Sequence, residues 1–324
     1  MNPTPPPTAN PAPTESNSTP LAQLGQVWLD GQLVPGESAA VSVMDHGVLY
    51  GDGVFEGIRA YNGKVLKLRS HLERFDDSAK AIRLTLPYTL DQLESAVRET
   101  LRVNGRADGY IRLCATRGVG TMGLNPFLSP TPSVFIITCD IKMYPQELYD
   151  QGMKVITSSV TRNHPAALSP RIKSNNYLNN ILAKIEAIDA GCLEAVMLNT
   201  QGLVAECTGD NIFIVRRPMG GGAASAELVT PPLHAGILEG ITRNLVIDLA
   251  RDAGLTVREL DLSKHDLYTA DEMFLTGTAA EVIAVTEIDG RKIGRGEIEG
   301  KPGPVTQQLN TAFRKMLKDG APED

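Results

Sequence analysis

The sequence predicts a mixed α+β protein whose two domains share a cleft. Its 324 residues exceed one average domain and are sufficient for two. Short β-hairpins alternate with amphipathic helices along the chain, and a polar, proline-containing stretch follows a buried strand. We divide the chain at that stretch. The predicted parts are a small α+β domain at 21–139, a linker at 140–150, a large domain at 151–319 and a C-terminal tail at 320–324.

Composition and charge exclude several classes of protein. Apolar residues make up 42% of the chain and charged residues 21%, a balance that can bury a sizeable core. The net charge of -7 argues against nucleic acid or an anionic membrane as the main partner, because both favour a basic surface. The sequence contains no apolar run of about 18 residues, so we expect no membrane-spanning segment.

The cysteines indicate a reducing compartment. None of the four belongs to a Cys-x-x-Cys pair, and no set of histidines and cysteines has the spacing of a metal site. We therefore predict free thiols, a cytoplasmic location and no bound metal. The four are Cys114, Cys139, Cys192 and Cys207.

The first twenty residues form a segment of their own, with seven prolines and a single charged residue, Glu15. Proline lacks a backbone donor, and the segment offers almost nothing apolar to bury. We predict a disordered tail at 1–20. It has no basic stretch followed by an apolar one, so we do not expect a secretory signal.

Three dipeptides predict β-hairpins. They are Asp30-Gly31, Asn62-Gly63 and Asp289-Gly290, each between short apolar runs. Asn-Gly and Asp-Gly tolerate the positive φ angles that a two-residue hairpin turn requires.

Five amphipathic stretches predict helices. The first is capped by Ser70 and Glu73 and buries a stripe of apolar residues, Leu72, Phe75, Ala79 and Ile82. The second has a capping box of Thr89 and Gln92 and ends near Gly105. The remaining three begin near Tyr177, with Leu178, Ile181, Leu182 and Ile185 apolar; near Ile241; and around Val305, Leu309, Phe313 and Met316.

Two strands bear on the site. Ser133–Cys139 is an apolar run rich in β-branched residues and predicts a buried strand. In Tyr110-Ile111-Arg112, residues two apart share a face of the strand, so Tyr110 and Arg112 point the same way. A hydroxyl beside a guanidinium can receive a carboxylate, although a surface ion pair is the commoner use of such an arginine.

Two segments have the pattern of a helix start that could bind an anion. Gly240, Ile241 and Thr242 follow a glycine-containing loop, and Thr278 to Glu281 reads Thr-x-x-Glu after Gly277. The first N–H groups of a helix and its dipole favour negative charge, but simple capping is the commoner explanation for either pattern.

Lys173 is the lysine that calls for an explanation, because it comes just before a predicted helix, where a positive charge is unfavourable. The glycine-rich segment Tyr50–Gly57 lacks the lysine and serine or threonine of a nucleotide-phosphate loop and has no Gly-x-Gly-x-x-Gly pattern. From the residues alone, a tight turn entering a strand is its best interpretation.

Seven motifs nevertheless occur in a recognisable order from about Gly25 to Leu317. Together they resemble the branched-chain amino acid aminotransferases, a group within the pyridoxal-phosphate enzymes of the D-amino-acid aminotransferase-like fold (fold type IV). They are DHGVLYGDGVFEGIRAYNG, HLERFDDSAKAI, YIR with GTMGLNP, KSNNYLNNILAK, AECTGDNIF, GITR and LTGTAAEV. The resemblance implies an active site in the cleft between the two domains, with pyridoxal 5'-phosphate bound by the large one.

The resemblance implies a role for each cofactor residue. Lys173 would form the Schiff base and carry the proton, and Glu206 would face the pyridine nitrogen, keeping it protonated so that the ring accepts electrons. Tyr177 would lie beside the ring. The phosphate would be held by the helix start and an arginine, namely by Arg74, Gly240, Ile241, Thr242 and Thr278.

The resemblance also implies the substrate residues. The α-carboxylate would bind Tyr110 and the backbone of Thr278 and Ala279, and Arg112 would receive the second carboxylate of glutamate. The apolar pocket would be lined by Phe55, Gly57 and Tyr177, with Tyr50 and Leu124 contributed by a partner subunit. The implied reaction is ping-pong transamination between L-leucine, L-isoleucine or L-valine and 2-oxoglutarate, by at least a homodimer.

Related enzymes remain as alternatives at this stage. D-amino-acid aminotransferases, aminodeoxychorismate lyases and (R)-selective amine transaminases share the lysine and glutamate motifs, whereas FEGIR, YIR and GTMGLNP favour the branched-chain group. A catalytically silent cofactor-binding protein would have the same fold, but Lys173, Glu206 and Arg74 are all present. A nucleotide-dependent dehydrogenase is disfavoured, because no strand–glycine–helix fingerprint occurs.

Overall fold

The computed structural model describes residues 25–141, 144–217 and 226–323. Two β-sheets organise these residues, one built from the N-terminal part of the chain and one from the remainder. The predicted disordered tail at 1–20 lies outside the described residues.

The first sheet has six strands in the order β2-β1-β6-β5-β3-β4. They are β1 (Gln26–Leu29), β2 (Gln32–Pro35), β3 (Gly53–Tyr61), β4 (Lys64–Val65), β5 (Gly109–Thr116) and β6 (Ser133–Cys139). The two hairpins predicted here are confirmed, and Asp30, Gly31, Asn62 and Gly63 all have positive φ. Strand β6 is also confirmed, although only alternate residues are buried, since one of its faces is partly open.

Three helices accompany this sheet: α1 (His46–Tyr50), α2 (Leu68–Ala81) and α3 (Leu90–Val103). Helices α2 and α3 pack on one face of the sheet with Leu72, Phe75 and Ala79 fully buried, as predicted. The capping box of Thr89 and Gln92 is confirmed.

The predicted cap at Ser70 is wrong. Helix α2 begins two residues earlier, after Lys67 in a left-handed conformation. The buried side chain of Leu68 belongs to its first turn. The burial of an apolar side chain, and not the capping pattern, therefore determines where this helix starts. Glu73 pairs with Arg69 on the helix surface.

The second sheet has nine strands in the order β12-β11-β10-β13-β14-β7-β8-β9, with β15 paired to β14. They are β7 (Met153–Thr157), β8 (Glu194–Leu198), β9 (Val204–Cys207), β10 (Asn211–Arg216), β11 (Glu227–Thr230), β12 (Thr256–Glu259), β13 (Glu272–Gly277), β14 (Glu281–Ile288) and β15 (Arg291–Lys292). The predicted hairpin at Asp289-Gly290 joins β14 and β15.

Five helices lie among the described residues of this part: α4 (Gln146–Gln151), α5 (Leu178–Asp189), α6 (Ile241–Asp252), α7 (Lys264–Tyr268) and α8 (Pro304–Gly320). Short 3₁₀ turns lie at Pro126–Leu128, Leu233–Ala235 and Gly296–Ile298. Helices α6 and α8 pack against the sheet, with Leu309 and Phe313 buried in their shared core. The predicted helices near Tyr177, Ile241 and Val305 are thereby confirmed. In the described part of the chain, none of the helices is long and apolar enough to cross a membrane.

The predicted helix start at Thr278 is wrong. Residues 278–280 form the turn between β13 and β14, which pair antiparallel with Gly277 opposite Glu281. The β-branched and aromatic residues on either side favour strands. Glu281 has a φ of 58° and accepts a hydrogen bond from the Tyr61 hydroxyl at 2.9 Å, so it does not cap a helix.

Helix α5 presents its apolar stripe outward. Its buried residues are the small or polar Asn180, Ala183 and Ala187. Five large apolar residues are exposed instead: Leu178, Ile181, Leu182, Ile185 and Ile188. A contiguous apolar face of this kind is typical of a contact surface.

Among the described residues, backbone hydrogen bonds join the two parts of the chain at two places. The segment of Lys173 pairs with the start of β3, since Phe55 N donates to Lys173 O at 2.9 Å and Asn175 N to Gly53 O at 2.9 Å. After α8 the chain returns to the first sheet, where Lys67 N donates to Pro322 O. The first of these junctions holds Lys173 between the two sheets.

Candidate active site

Lys173 lies between two aromatic rings. Its Nζ is 3.2 Å from the Tyr177 hydroxyl and 4.7 Å from the centroid of the Phe55 ring. The two rings meet edge to face, with centroids 5.0 Å apart. The backbone of Lys173 donates to Ser78 Oγ on α2, so the amine extends from a fixed main chain. The structure therefore brings together three of the predicted site residues, Lys173, Tyr177 and Phe55.

The start of α6, where the sequence predicts an anion site, is an uncapped helix start. Gly240 precedes the helix and has no side chain to cap it, which leaves the first N–H groups open to a ligand. Arg74 joins this site because its Nη1 donates to the carbonyl of Glu239 at 2.7 Å. A cavity of about 620 Å³ is lined by both Arg74 and Ile241. A larger groove of about 880 Å³ lies between α4 and the start of α8 and contains none of the predicted residues.

Glu206 is buried on β9 in a set of fixed hydrogen bonds. The Arg162 Nε donates to one of its carboxylate oxygens at 2.9 Å. The other oxygen accepts from Leu238 N at 2.9 Å and from Asn211 Nδ2 at 3.2 Å. A carboxylate held in this way has one fixed orientation, which suits a partner for a protonated ring nitrogen.

Sequence reasoning missed Arg162 and Asn211. Arg162 lies in a polar segment with no periodic pattern, and its partner Glu206 is 44 residues away. Asn211 lies within the AECTGDNIF motif but was given no role, and its side chain packs so tightly on Gly240 that a Cβ there would overlap it. Gly240 in the sequence was a detectable sign of close packing at this point, whereas the sequence around Arg162 has no feature that indicates its partner.

The loop before α6 connects the two ends of the site. Leu238 donates its N–H to Glu206, and the next residue, Glu239, accepts from Arg74. Arg74 and the Glu206 carboxylate are therefore tied to the backbone of two consecutive residues.

Tyr110 and Arg112 share a face of β5, as predicted. The Arg112 guanidinium lies 4.2 Å from the centroid of the Phe55 ring and 5.9 Å from that of Tyr110. Gly57 lies opposite Arg112 on β3, and a Cβ at this position would overlap the Tyr110 hydroxyl. Burial raises the pKa of Tyr110, so its hydroxyl stays protonated and available as a donor.

Thr278 and Ala279 lie in the β13–β14 turn, both partly exposed. The preceding Gly277 packs on the Asp210 carboxylate, where a Cβ would not fit. The backbone N–H groups of such a turn can bind an anion as a helix start does. The two residues keep their predicted binding roles as a hypothesis, on a different local structure.

Tyr50 and Leu124 are separate from the other predicted residues. The Tyr50 hydroxyl accepts from Gly123 N at 2.9 Å, which places it beside Leu124, and Leu124 is 82% exposed. Within the described residues, neither is hydrogen-bonded to or ring-stacked on Lys173, Tyr177 or Arg112. Their exposure is what a contribution to a partner's site requires.

Two further buried acids lie behind Glu206. The Glu194 carboxylate accepts from the Thr208 hydroxyl at 2.5 Å, and Asp210 accepts from the Tyr144 hydroxyl at 3.4 Å. Burial, together with the negative charge of Glu194, raises the pKa of Asp210 to about 7. Neither residue was singled out from the sequence.

Comparison with known proteins identifies the family. The family model described as Amino-transferase class IV matches residues 53–288. A putative branched-chain-amino-acid aminotransferase of Methanocaldococcus jannaschii is 48% identical over 291 residues, covering 90% of this chain and 96% of that protein. The branched-chain-amino-acid aminotransferase of Pseudomonas aeruginosa is 39% identical over 298 residues, covering 90% of this chain and 93% of that protein.

Solved structures agree with this result. The Escherichia coli branched-chain amino acid aminotransferase superposes with a TM-score of 0.85 at 36% identity, covering 91% of this chain and 95% of that one. The T.th. branched-chain amino acid aminotransferase in complex with N-(5'-phosphopyridoxyl)-L-glutamate superposes with a TM-score of 0.84 at 37% identity, covering 93% and 96%.

The class IV aminotransferases depend on pyridoxal phosphate, and the residues of this site fit that cofactor. A lysine amine lies between aromatic rings, an arginine stands at an uncapped helix start for a phosphate, and a fixed carboxylate is available for a pyridine nitrogen. The fold, the relatives and the site lead to one conclusion: the chain belongs to the branched-chain amino acid aminotransferases, two-domain class IV enzymes of mixed α and β structure.

Proposed function

We propose that this enzyme transfers the amino group of L-leucine, L-isoleucine or L-valine to 2-oxoglutarate by a ping-pong mechanism. The products are the branched 2-oxo acid and L-glutamate. The proposal rests on the branched-chain relatives and on two features of the site. The Lys173 amine lies beside the Tyr177 hydroxyl, and the loop before α6 is tied to both Arg74 and the Glu206 carboxylate.

In this proposal Lys173 binds pyridoxal 5'-phosphate covalently and then moves a proton to and from the substrate Cα. The bound cofactor supplies the electron sink for the electrons released at that carbon. Glu206 stabilises the protonated ring nitrogen, and Tyr177 positions the lysine amine through the 3.2 Å contact of its hydroxyl. Arg74 and the N–H groups of Ile241 and Thr242 hold the phosphate, with Thr278 contributing from its turn.

Substrate selection follows from the face shared by β3 and β5. Tyr110 and the backbone of Thr278 and Ala279 bind the α-carboxylate. Phe55 and Gly57 provide apolar walls for an aliphatic side chain. Arg112 contacts only rings among the described residues, so its guanidinium is available for the γ-carboxylate of glutamate. One pocket can therefore accept both types of substrate.

A homodimer would complete the pocket with the partner's Tyr50 and Leu124. The loops that carry these residues expose a cluster of large apolar side chains: Val43, Val48, Val119, Met122, Leu124, Phe127 and Leu128. The Asn176 side chain donates to Gly51 O at 2.8 Å, so this surface adjoins the Lys173 segment of the same chain. Exposed apolar side chains grouped in this way are typical of a protein–protein contact surface.

The cytoplasmic location stays a prediction from the cysteines.

The test is an absorbance spectrum of the purified enzyme with pyridoxal phosphate, before and after L-leucine and, in a separate sample, D-alanine. We expect a visible band that L-leucine shifts and D-alanine leaves unchanged. A band that responds only to D-alanine would contradict the proposed stereochemistry. If added pyridoxal phosphate produced no band, the covalent role of Lys173 would be refuted.

A further inference from the structure

A buried network of three side chains lies behind the proposed phosphate site. Arg74 donates from Nε and Nη2 to the two carboxylate oxygens of Glu56, both at 2.8 Å. His71 Nδ1 lies 2.8 Å from one of those oxygens. Glu56 and His71 are buried, and the mechanism above gives them no task. They come from the FEGIR and HLERF segments, on β3 and α2.

We propose that Glu56 and His71 are positioning residues that orient the Arg74 guanidinium toward the cofactor phosphate. The inference rests on the proposed function, in which Arg74 is the phosphate ligand. Neither residue reaches the phosphate site through a contact of its own, so each acts through Arg74.

The donors of Arg74 support this assignment. A guanidinium has five N–H donors in a rigid plane. Within the described residues, Glu56 takes one on Nε and one on Nη2, and the carbonyl of Glu239 takes one on Nη1. One donor therefore remains on each terminal nitrogen, which is the fork that a phosphate receives. Since Glu56 occupies the Nε side, it fixes the plane of the fork.

His71 in turn fixes Glu56. Burial lowers the pKa of His71, so the ring is neutral and its Nδ1 carries the hydrogen donated to the carboxylate. Burial alone would raise the pKa of Glu56, but Arg74 and His71 outweigh it and hold that pKa well below its usual range. The carboxylate is thus ionised and has a partner on each side.

Stability alone is a weak reason for this network. A buried ion pair is often no more stabilising than apolar residues of similar volume, because both charges must be desolvated. A negative charge beside a phosphate site is also unfavourable by itself. Glu56 favours phosphate binding only if the gain in binding free energy from orienting Arg74 exceeds the loss from the repulsion between the carboxylate and the phosphate.

The direction in which Glu56→Gln changes the affinity for pyridoxal phosphate separates the orientation of Arg74 from the charge repulsion. We would determine dissociation constants of the full-length enzyme for pyridoxal phosphate and for pyridoxal, which lacks the phosphate, by equilibrium dialysis. For Glu56→Gln we expect about tenfold weaker binding of pyridoxal phosphate, the loss of one charge-assisted hydrogen bond, and unchanged binding of pyridoxal. His71→Phe, which keeps the ring volume without the donor, should give a smaller loss of the same selectivity. The control Glu99→Gln, an exposed carboxylate on α3 that pairs with Arg102, should change neither constant.

A double-mutant cycle with Arg74→Gln decides whether Glu56 acts through Arg74. In that background Glu56→Gln should have no further effect on the affinity ratio. Equal or tighter binding of pyridoxal phosphate by Glu56→Gln would overturn the inference, as would equal losses for both ligands. If Arg74→Gln itself left the ratio unchanged, the proposed phosphate site would fail and the inference with it. A loss for Arg74→Gln but none for Glu56→Gln or His71→Phe would refute the inference alone.

Discussion

Two buried arginine–glutamate pairs flank the Lys173–Tyr177 segment, and they are arranged in opposite directions. In the first, Glu56 is fully buried and Arg74, with 12% of its side chain exposed, is the member at the anion site. In the second, Arg162 lies behind and Glu206 is the member proposed to meet the ring nitrogen. Each pair uses one charge to hold the other, so that under the proposed function a cation would meet the phosphate and an anion would meet the pyridine nitrogen.

The two pairs differ in the contacts that fix the residue facing the proposed cofactor, Arg74 in the first pair and Glu206 in the second. Arg74 is oriented by Glu56 and by one carbonyl, whereas Glu206 is held by Arg162, a backbone N–H and an asparagine. A phosphate can adapt to a donor fork and to several N–H groups, while a ring nitrogen has a single direction. The pyridine end should therefore be the more sensitive to substitution.

Glu206→Gln should produce the largest effect of the predictions that follow. Removing the charge weakens the electron sink, so turnover of L-leucine should fall by about two to three orders of magnitude while the cofactor stays bound. Steady-state rates together with the visible spectrum measure both quantities. The control Glu99→Gln changes an exposed carboxylate that pairs with Arg102. Near-normal turnover for Glu206→Gln would remove the proposed role of this residue.

Arg162→Gln should be strongly destabilising. It leaves the buried Glu206 carboxylate without its cation, and the free energy of unfolding should drop by about 3 to 5 kcal/mol. Arg102→Gln, which breaks the exposed pair with Glu99, should change it by at most about 1 kcal/mol. Denaturant titrations of the two variants measure the difference. Similar losses in both would mean that the pair behind Glu206 has no special importance.

Arg112 differs from Arg74 and Arg162 because it lies near the site with no acidic partner among the described residues. It stacks on Phe55 and Tyr110 instead. Arg112→Ala should therefore lower kcat/KM for L-glutamate by about tenfold to a hundredfold more than for L-leucine. The ratio of the two constants is the measurement, with leucine as the internal control. Equal losses for both substrates would assign the arginine a structural task.

Asp210 shows what burial does without an arginine. Burial and Glu194 raise its pKa from 3.8 in the unfolded chain to about 7 in the folded one. The folded state therefore holds a proton that the unfolded state releases, and this contribution to stability is complete below pH 4 and lost as the pH rises through 7. The loss is at most about 1.4 kcal/mol per pH unit.

Asp210→Asn should accordingly flatten the decline in the free energy of unfolding between pH 4 and pH 7. Denaturant titrations at several pH values give this slope for the variant, for the unchanged enzyme and for the exposed control Asp248→Asn. Identical slopes in all three would show that Asp210 loses its proton at the ordinary pH of an aspartate.

The features predicted correctly from the sequence were mostly those with a local signal. The positive φ angles at Asn62 and Gly63, the uncapped start at Gly240 and the shared face of Tyr110 and Arg112 all follow from a few neighbouring residues. Their physical causes, turn geometry and strand alternation, act over short distances.

The errors and omissions arose where distant parts of the chain decide. Thr278 lies in a turn because β13 and β14 pair, and α2 begins before Ser70 because Leu68 is buried. The partner of Arg162 is 44 residues away, which no pattern near either residue indicates. The roles of Tyr50 and Leu124 came from the family resemblance, since their exposed position shows only that they are available to a second subunit.

The most direct test of the account is the visible absorbance spectrum of Lys173→Ala after addition of pyridoxal phosphate. Lys173 is the residue between the two pairs, and the account makes its amine the attachment point of the cofactor. The variant should lack the visible band of the covalently bound cofactor and should not respond to L-leucine, whereas the exposed control Lys80→Ala should keep both. A Lys173→Ala spectrum identical to that of the unchanged enzyme would contradict the central claim.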